Sequence, residues 1–279
     1  LDAAADAAVR AQRLADASGD PAARGAAGLT AARVAQATRD PDAALRHALA
    51  AVEAWRASDR PDDALPSRIL VGRLTLANGD LDGAERWLRD ALADAEAAGR
   101  PYTEALAHYQ LGEVALRRGA KDEAERRFER ALDGFETYHA PSETMLASRA
   151  LARLALEAGR LADADRRFLE AFRHARDERA ERHLVGAAVG RARVAWLRGH
   201  VRFAVGILDA AREHHAVDRD TLQAVDATMR EIEAAHGVQE VEALRRDART
   251  VRVEDAEDAP TGIAGRFGRG GRGRRGARG

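Results

Sequence analysis

The 279-residue chain has no cysteine, which excludes disulfides and thiolate metal sites and says nothing about compartment. Aromatic residues make up only 4% of it, so a core must be built from alanine and aliphatic side chains. No apolar run approaches the roughly 18 residues that cross a bilayer, and no signal peptide opens the sequence. A cytoplasmic protein with no membrane partner is the expectation. Lysine is nearly absent, Lys121 being the single one among 45 basic residues. That bias reads as genomic, and it lowers the weight a lone arginine deserves. The patterns that carry chemistry are also missing: there is no Walker loop, no GxSxG elbow and no HExxH. His214 and His215 are adjacent rather than four apart and fit solvated or helix-end side chains. Asp/Glu pairs on amphipathic segments fit surface pairing with arginine. We therefore expect no catalytic residue, no metal, no cofactor and no enzymatic activity.

What the chain does have is a period. Proline recurs at 21, 61, 101 and 141, and glycine at 79, 119, 159 and 199, both every 40 residues. Five residues past each turn glycine stand Ala84, Ala124, Ala164 and Ala204, with Ala44 in phase. Four further on come Leu88, Phe128, Phe168 and Leu208, with Ala48 in phase. Three beyond those, Ala51, Ala91, Ala131, Ala171 and Ala211 complete the set. Offsets of 0, 4 and 7 share one face of a helix. Seven residues before the turn are the small residues Ala32, Gly72, Gly112, Ala152 and Ala192, followed two later by aliphatic ones. Each unit therefore reads as a helix, a glycine-ended turn and a second helix, with proline at the start of the next. Helices of about 16 residues would be roughly 24 Å long, and each needs its neighbours to bury its apolar stripe.

The small residue, turn glycine, spaced alanines, bulky residue and terminal proline resemble the tetratricopeptide repeat. The stretch Leu111-Gly112 through Gly119, Ala124, Phe128, Ala131 and Leu132 carries most of the pattern. The 40-residue spacing is similar to that of MalT-like regulator arms. Departures are Arg68, His108 and Ser148 where a large aromatic often stands, and Arg191 and Arg212 at apolar positions of a degenerate fifth unit. The resemblance implies an all-α fold, a right-handed α-solenoid of stacked antiparallel helix pairs. Residues 1–20 are expected to be the second helix of a truncated repeat and so point to a fragment of a larger protein. Five repeats (21–60, 61–100, 101–140, 141–180, 181–220) follow, then a helical cap at 221–250. Residues 251–279 are expected to be disordered, acidic first and then rich in arginine and glycine.

The resemblance also implies a concave groove lined by the first helix of each unit. It places Arg33, Arg73, Glu113, Arg153 and Arg193 there, with Arg149 one turn before Arg153, and Tyr109 and Trp196 among the apolar contacts. Guanidinium groups grip carboxylates in a bidentate fork, so an acidic peptide or a protein segment is the expected partner. The implied role is an interaction scaffold, the sensing arm of a larger signalling or transcription regulator, monomeric or weakly self-associating. The tail supplies the alternative. Residues 265–279 hold Arg266, Arg269, Arg272, Arg274, Arg275 and Arg278 and no acid. Whole-chain charge is −1, so residues 1–264 carry −7. Such a tail can attract nucleic acid, or remain a solvated terminus resting on acids such as Glu254-Asp255 and Glu257-Asp258.

Overall fold

The computed structural model describes residues 2–248 and 250–260; the six tail arginines, and the tail's expected disorder, lie outside the described residues. Every regular element among the described residues is helical: thirteen α-helices and two short 3-10 helices. The chain divides into two compact units, residues 1–140 and 141–279.

In the first unit α1 (Asp2–Ser18) packs on α2 (Pro21–Ala37), which pairs with α3 (Pro41–Arg56). Two further pairs follow, α4 (Leu65–Ala77) with α5 (Leu81–Ala97) and α6 (Pro101–Arg117) with α7 (Lys121–Thr137). In the last two pairs the small residue of the first helix seats the bulky residue of its partner. A Cβ on Gly72 would stand 2.6 Å from Leu88, and one on Gly112 would stand 2.7 Å from Phe128. Both distances are well inside van der Waals contact, so these glycines set how closely the paired helices approach.

The turns have half the expected period. Left-handed backbone occurs at Gly19, Arg39, Gly79, Gly99, Gly119, His139, Gly159, Arg179 and Gly199, so it closes both kinds of helix end. At all of these ends but the one at Gly19, where the Asp20 N–H donates to the Ser18 hydroxyl, the following N–H donates to a carbonyl five residues back, as Arg100 does to Ala95 (2.9 Å) and Ala180 to Ala175 (2.7 Å). This is the Schellman closure of a helix. Arg39, His139 and Arg179 adopt it with a Cβ present, at a cost of about 1 kcal/mol each.

One turn in the series fails, the one around Asp59. Pro66 has no N–H to give the carbonyl of Asp62, and its ring would strike that carbonyl in a continuous helix. The chain instead forms a 3-10 helix at Pro61–Ala64, and α4 is only 13 residues long where α2 and α6 have 17.

In the second unit α8 (Pro141–Glu157) pairs with α9 (Leu161–Asp177), and α10 (Glu181–Leu197) with α11 (Val201–Glu213). The fifth repeat, degenerate in sequence, is a regular helix pair. Next come α12 (Arg219–His236) and α13 (Val238–Asp247), which bury Val225, Met229, Ile232 and Val241 against it.

The acidic segment expected to be disordered from residue 251 is instead built into this unit. Val253–Asp258 form a 3-10 helix on α9, α10 and α11, with Val253 and Ala256 buried. Arg191, the polar intruder at an apolar position, is the reason. It is 1% exposed; its Nε donates to Asp165 (2.9 Å) and Nη1 to the carbonyls of Ala256 and Glu257, the latter at 2.7 Å. The other oxygen of Asp165 accepts from Arg198 at 2.8 Å. The Glu257 carboxylate pairs with Arg173 (3.0 Å) and with Arg176. Two buried guanidinium groups share one carboxylate; carbonyls of the C-terminal segment accept further bonds from Arg191, and the Leu161 carbonyl accepts one from Arg198 (3.2 Å), as buried charge requires.

Candidate interaction surface

The expected groove residues lie on α2, α4 and α6 of the first unit and on α8 and α10 of the second, and they do not share one environment. In the first unit Arg33 and Arg73 stand on adjacent repeats, near enough for the charge of one to act on the other. Both side chains are exposed. Arg73 donates to the Gln36 amide oxygen at 2.6 Å, and its pKa is lowered first by partial burial of its guanidinium group and then by the like charge of Arg33. Neither arginine forms an ion pair among the described residues. Tyr109 is turned toward α7, its ring centroid 5.4 Å from that of Phe128 and 6.5 Å from that of Phe135. It packs on the aromatic core and is only partly open, and Glu113 on the same helix is half-buried.

In the second unit Arg153 is exposed on α8. Arg149 lies across α10, where a Cβ on Gly186 would stand 2.6 Å from its Nη1. The same guanidinium lies near His183, whose pKa is lowered by burial, then by Arg149 and Arg182. Arg193 is already engaged by the cap, pairing with Glu231 at 3.1 Å and reaching Thr228 at 3.4 Å. Trp196 packs against the hydrophobic core of the unit. Arg193 is thus neutralised by α12, and Trp196 is a packing residue more than a contact on offer.

The positions where a large aromatic was missing are filled by polar solutions. Arg68 pairs with Asp94, His108 meets Arg127 at 3.2 Å, and Ser148 is buried. The adjacent histidines stack, with centroids 4.6 Å apart, and His215 pairs with Glu181 at 2.6 Å. Among the described residues no three His, Asp or Glu side chains converge as metal ligands, and no helix is long and apolar enough to cross a membrane.

A feature absent from the sequence reading is a cleft of about 390 Å³ in the first unit. It opens where the 3-10 helix replaces the first turn of α4. Leu29, Thr30, Trp55, Leu65, Pro66 and Thr103 line it, with Asp62, Asp63 and Arg100 as its charged groups. Pro66 was the available signal, because a second proline five residues after Pro61 interrupts a helix start.

No family model and no curated protein matches the sequence. Solved structures do match in fold. One is BtubC (BKLC) from P. vanneervenii, at 15% identity, covering 90% of this chain and 93% of that one with a TM-score of 0.59. Another is a Rap protein complexed with competence and sporulation factor, at 15% identity, 81% and 64% coverage and a TM-score of 0.62. A third is the Podosopora anserina putative kinesin light chain with nearly identical TPR-like repeats, at 16% identity, 76% and 98% coverage and a TM-score of 0.52. The fold is that of a tetratricopeptide-like helical-repeat solenoid.

Proposed function

We propose that the chain is a non-enzymatic protein-interaction scaffold that holds an acidic peptide segment on the first helices of its repeats, as the regulatory arm of a larger signalling or transcription-regulatory system. The observation that carries this reading is the Arg33–Arg73 pair. Many guanidinium groups are paired with carboxylates, as in Arg118 with Asp82 (2.5 Å) and Arg212 with Asp226 (2.7 Å). Here two stand together with only an amide for company. Like charges held side by side raise each other's energy, and a bound carboxylate relieves that. Support comes from the fold: the similar Rap protein was solved with competence and sporulation factor bound. Arg149 and Arg153 are the second unit's contribution, read as a separate contact. A cytoplasmic setting and a monomeric or weakly self-associating chain belong to the same proposal.

The test is direct binding of a fluorescein-labelled peptide bearing a central glutamate, with wild type compared with Arg33→Gln/Arg73→Gln. The double variant is expected to bind at least about tenfold more weakly, the loss of one charge-assisted contact. Unchanged affinity would remove the reading. The arginines of residues 266–278 favour a second reading, nucleic-acid association through the tail. Binding lost on deleting residues 265–279, with a steep salt dependence, is its signature.

A further inference from the structure

The cleft at the entry of α4 lies next to the Arg33–Arg73 pair, and its chemistry is opposite. On α2 both features fall within two turns, Leu29 and Thr30 lining the cleft and Arg33 following. On α4 the cleft takes Leu65 and Pro66, with Arg73 further along. The walls are apolar, and the charged lining is two carboxylates against one guanidinium, a net −1. Trp55 is held rigidly behind it. Its indole lies on the bare backbone of Gly25, where a Cβ would stand 2.6 Å from the ring, and it is 6% exposed.

The protein itself shows which group this environment takes. The Arg60 guanidinium carbon stands 6.0 Å from the Trp55 ring centroid, and its Nε lies 3.5 Å from Asp63. That is a cation placed between an indole face and a carboxylate. Arg60 stays mostly in solvent, with 62% of its side chain exposed. Asp62 is exposed and enters no ion pair among the described residues. A carboxylate beside an apolar slot is therefore left without a cation.

We propose that this cleft seats a long basic side chain, arginine or lysine, of the same peptide segment whose carboxylate rests on Arg33 and Arg73; the inference rests on that groove reading and adds a sequence preference to it. The aliphatic stem packs on Leu29, Leu65 and Pro66, and the cation reaches Asp62 beside the Arg60–Asp63 pair, as long basic side chains do at apolar surfaces. Four residues from Leu29 to Arg33 and seven from Pro66 to Arg73 are about 6 and 10 Å of helix rise. An extended segment advances about 3.3 Å per residue, so the two sites select a basic and an acidic residue two to three positions apart.

The experiment uses the full chain and fluorescence anisotropy with labelled octapeptides. One carries arginine and glutamate three apart on a glycine–serine background; in two others alanine or glutamate replaces the arginine. The arginine peptide is expected to bind about fivefold tighter than the alanine peptide, as a partly exposed ion pair with a ring contact allows. Asp62→Asn/Asp63→Asn, with helical content checked by circular dichroism, should bring the arginine peptide down to the alanine level and leave the alanine peptide unchanged. Equal binding of the arginine and alanine peptides to wild type overturns the inference, as does preference for glutamate at that position, which would mean that Arg100 governs the cleft. If Arg33→Gln/Arg73→Gln binds every peptide as wild type does while the arginine preference persists, the groove carboxylate site falls and the cleft remains. No saturable binding of any peptide at millimolar concentration overturns both.

Discussion

In the first unit Arg33 and Arg73 are exposed on adjacent repeats and form no ion pair among the described residues, whereas in the second unit Arg191 and Arg198 enclose Asp165 and are almost fully buried. The two arrangements use the same residue type under different solvation. A guanidinium group removed from water must find a counter-charge and acceptors within the protein, and the second unit recruits its own C-terminal segment to supply the last of them. A guanidinium group left at the surface has water as a partner and can stay open. The contrast separates arginine that holds the fold from arginine left at the surface, a distinction the arginine-rich composition hides.

Four variants test the contrast through stability. Asp165→Ala leaves two buried guanidinium groups without a counter-charge and should lower stability by about 3–5 kcal/mol, measured by urea unfolding of the full chain. Arg191→Met keeps the Asp165–Arg198 pair and loses the bonds to the Ala256 and Glu257 carbonyls. A smaller loss of about 1.5–3 kcal/mol follows, with hydrogen exchange at residues 253–258 rising before the rest of the unit. If exchange there stays at the wild-type level, Arg191 is not what holds the segment. Arg179→Gly changes only a left-handed turn position that Gly99 fills in the first unit, and should gain about 0.5–1 kcal/mol in thermal unfolding. Arg33→Gln/Arg73→Gln should stay within about 0.5 kcal/mol of wild type. A loss as large as that of Asp165→Ala would erase the distinction between the two kinds of arginine.

The repeat architecture was legible because it is written locally. The prolines, the turn glycines and the alanine offsets each act within one or two helical turns, so a fixed spacing in sequence is a fixed spacing in space. The half-period of the turns was less legible. Arg39, His139 and Arg179 occupy a glycine conformation without being glycine, since the hydrogen bonds of the helix end and the packing of the hairpin impose it. The candidate groove was read from the repeat resemblance. It named Arg33 and Arg73, and it also nominated Tyr109, Trp196 and Arg193. The structure turned the first two toward aromatic and apolar neighbours and gave the third to Glu231 on α12. Phase along one helix says which residues share a face, not what the next element brings to it.

By itself, then, the sequence determined an all-helical chain of 40-residue repeats, its helix starts and its hairpin turns, through backbone preferences that need no distant partner. The tertiary structure alone decided that Arg191 is a clamp, that the acidic segment at residues 253–258 is part of a folded unit, and that a cleft opens beside Pro66. Each of those depends on groups tens of residues apart or on a packing gap. Charge burial and steric exclusion are properties of the assembled neighbours, and no single helix carries them.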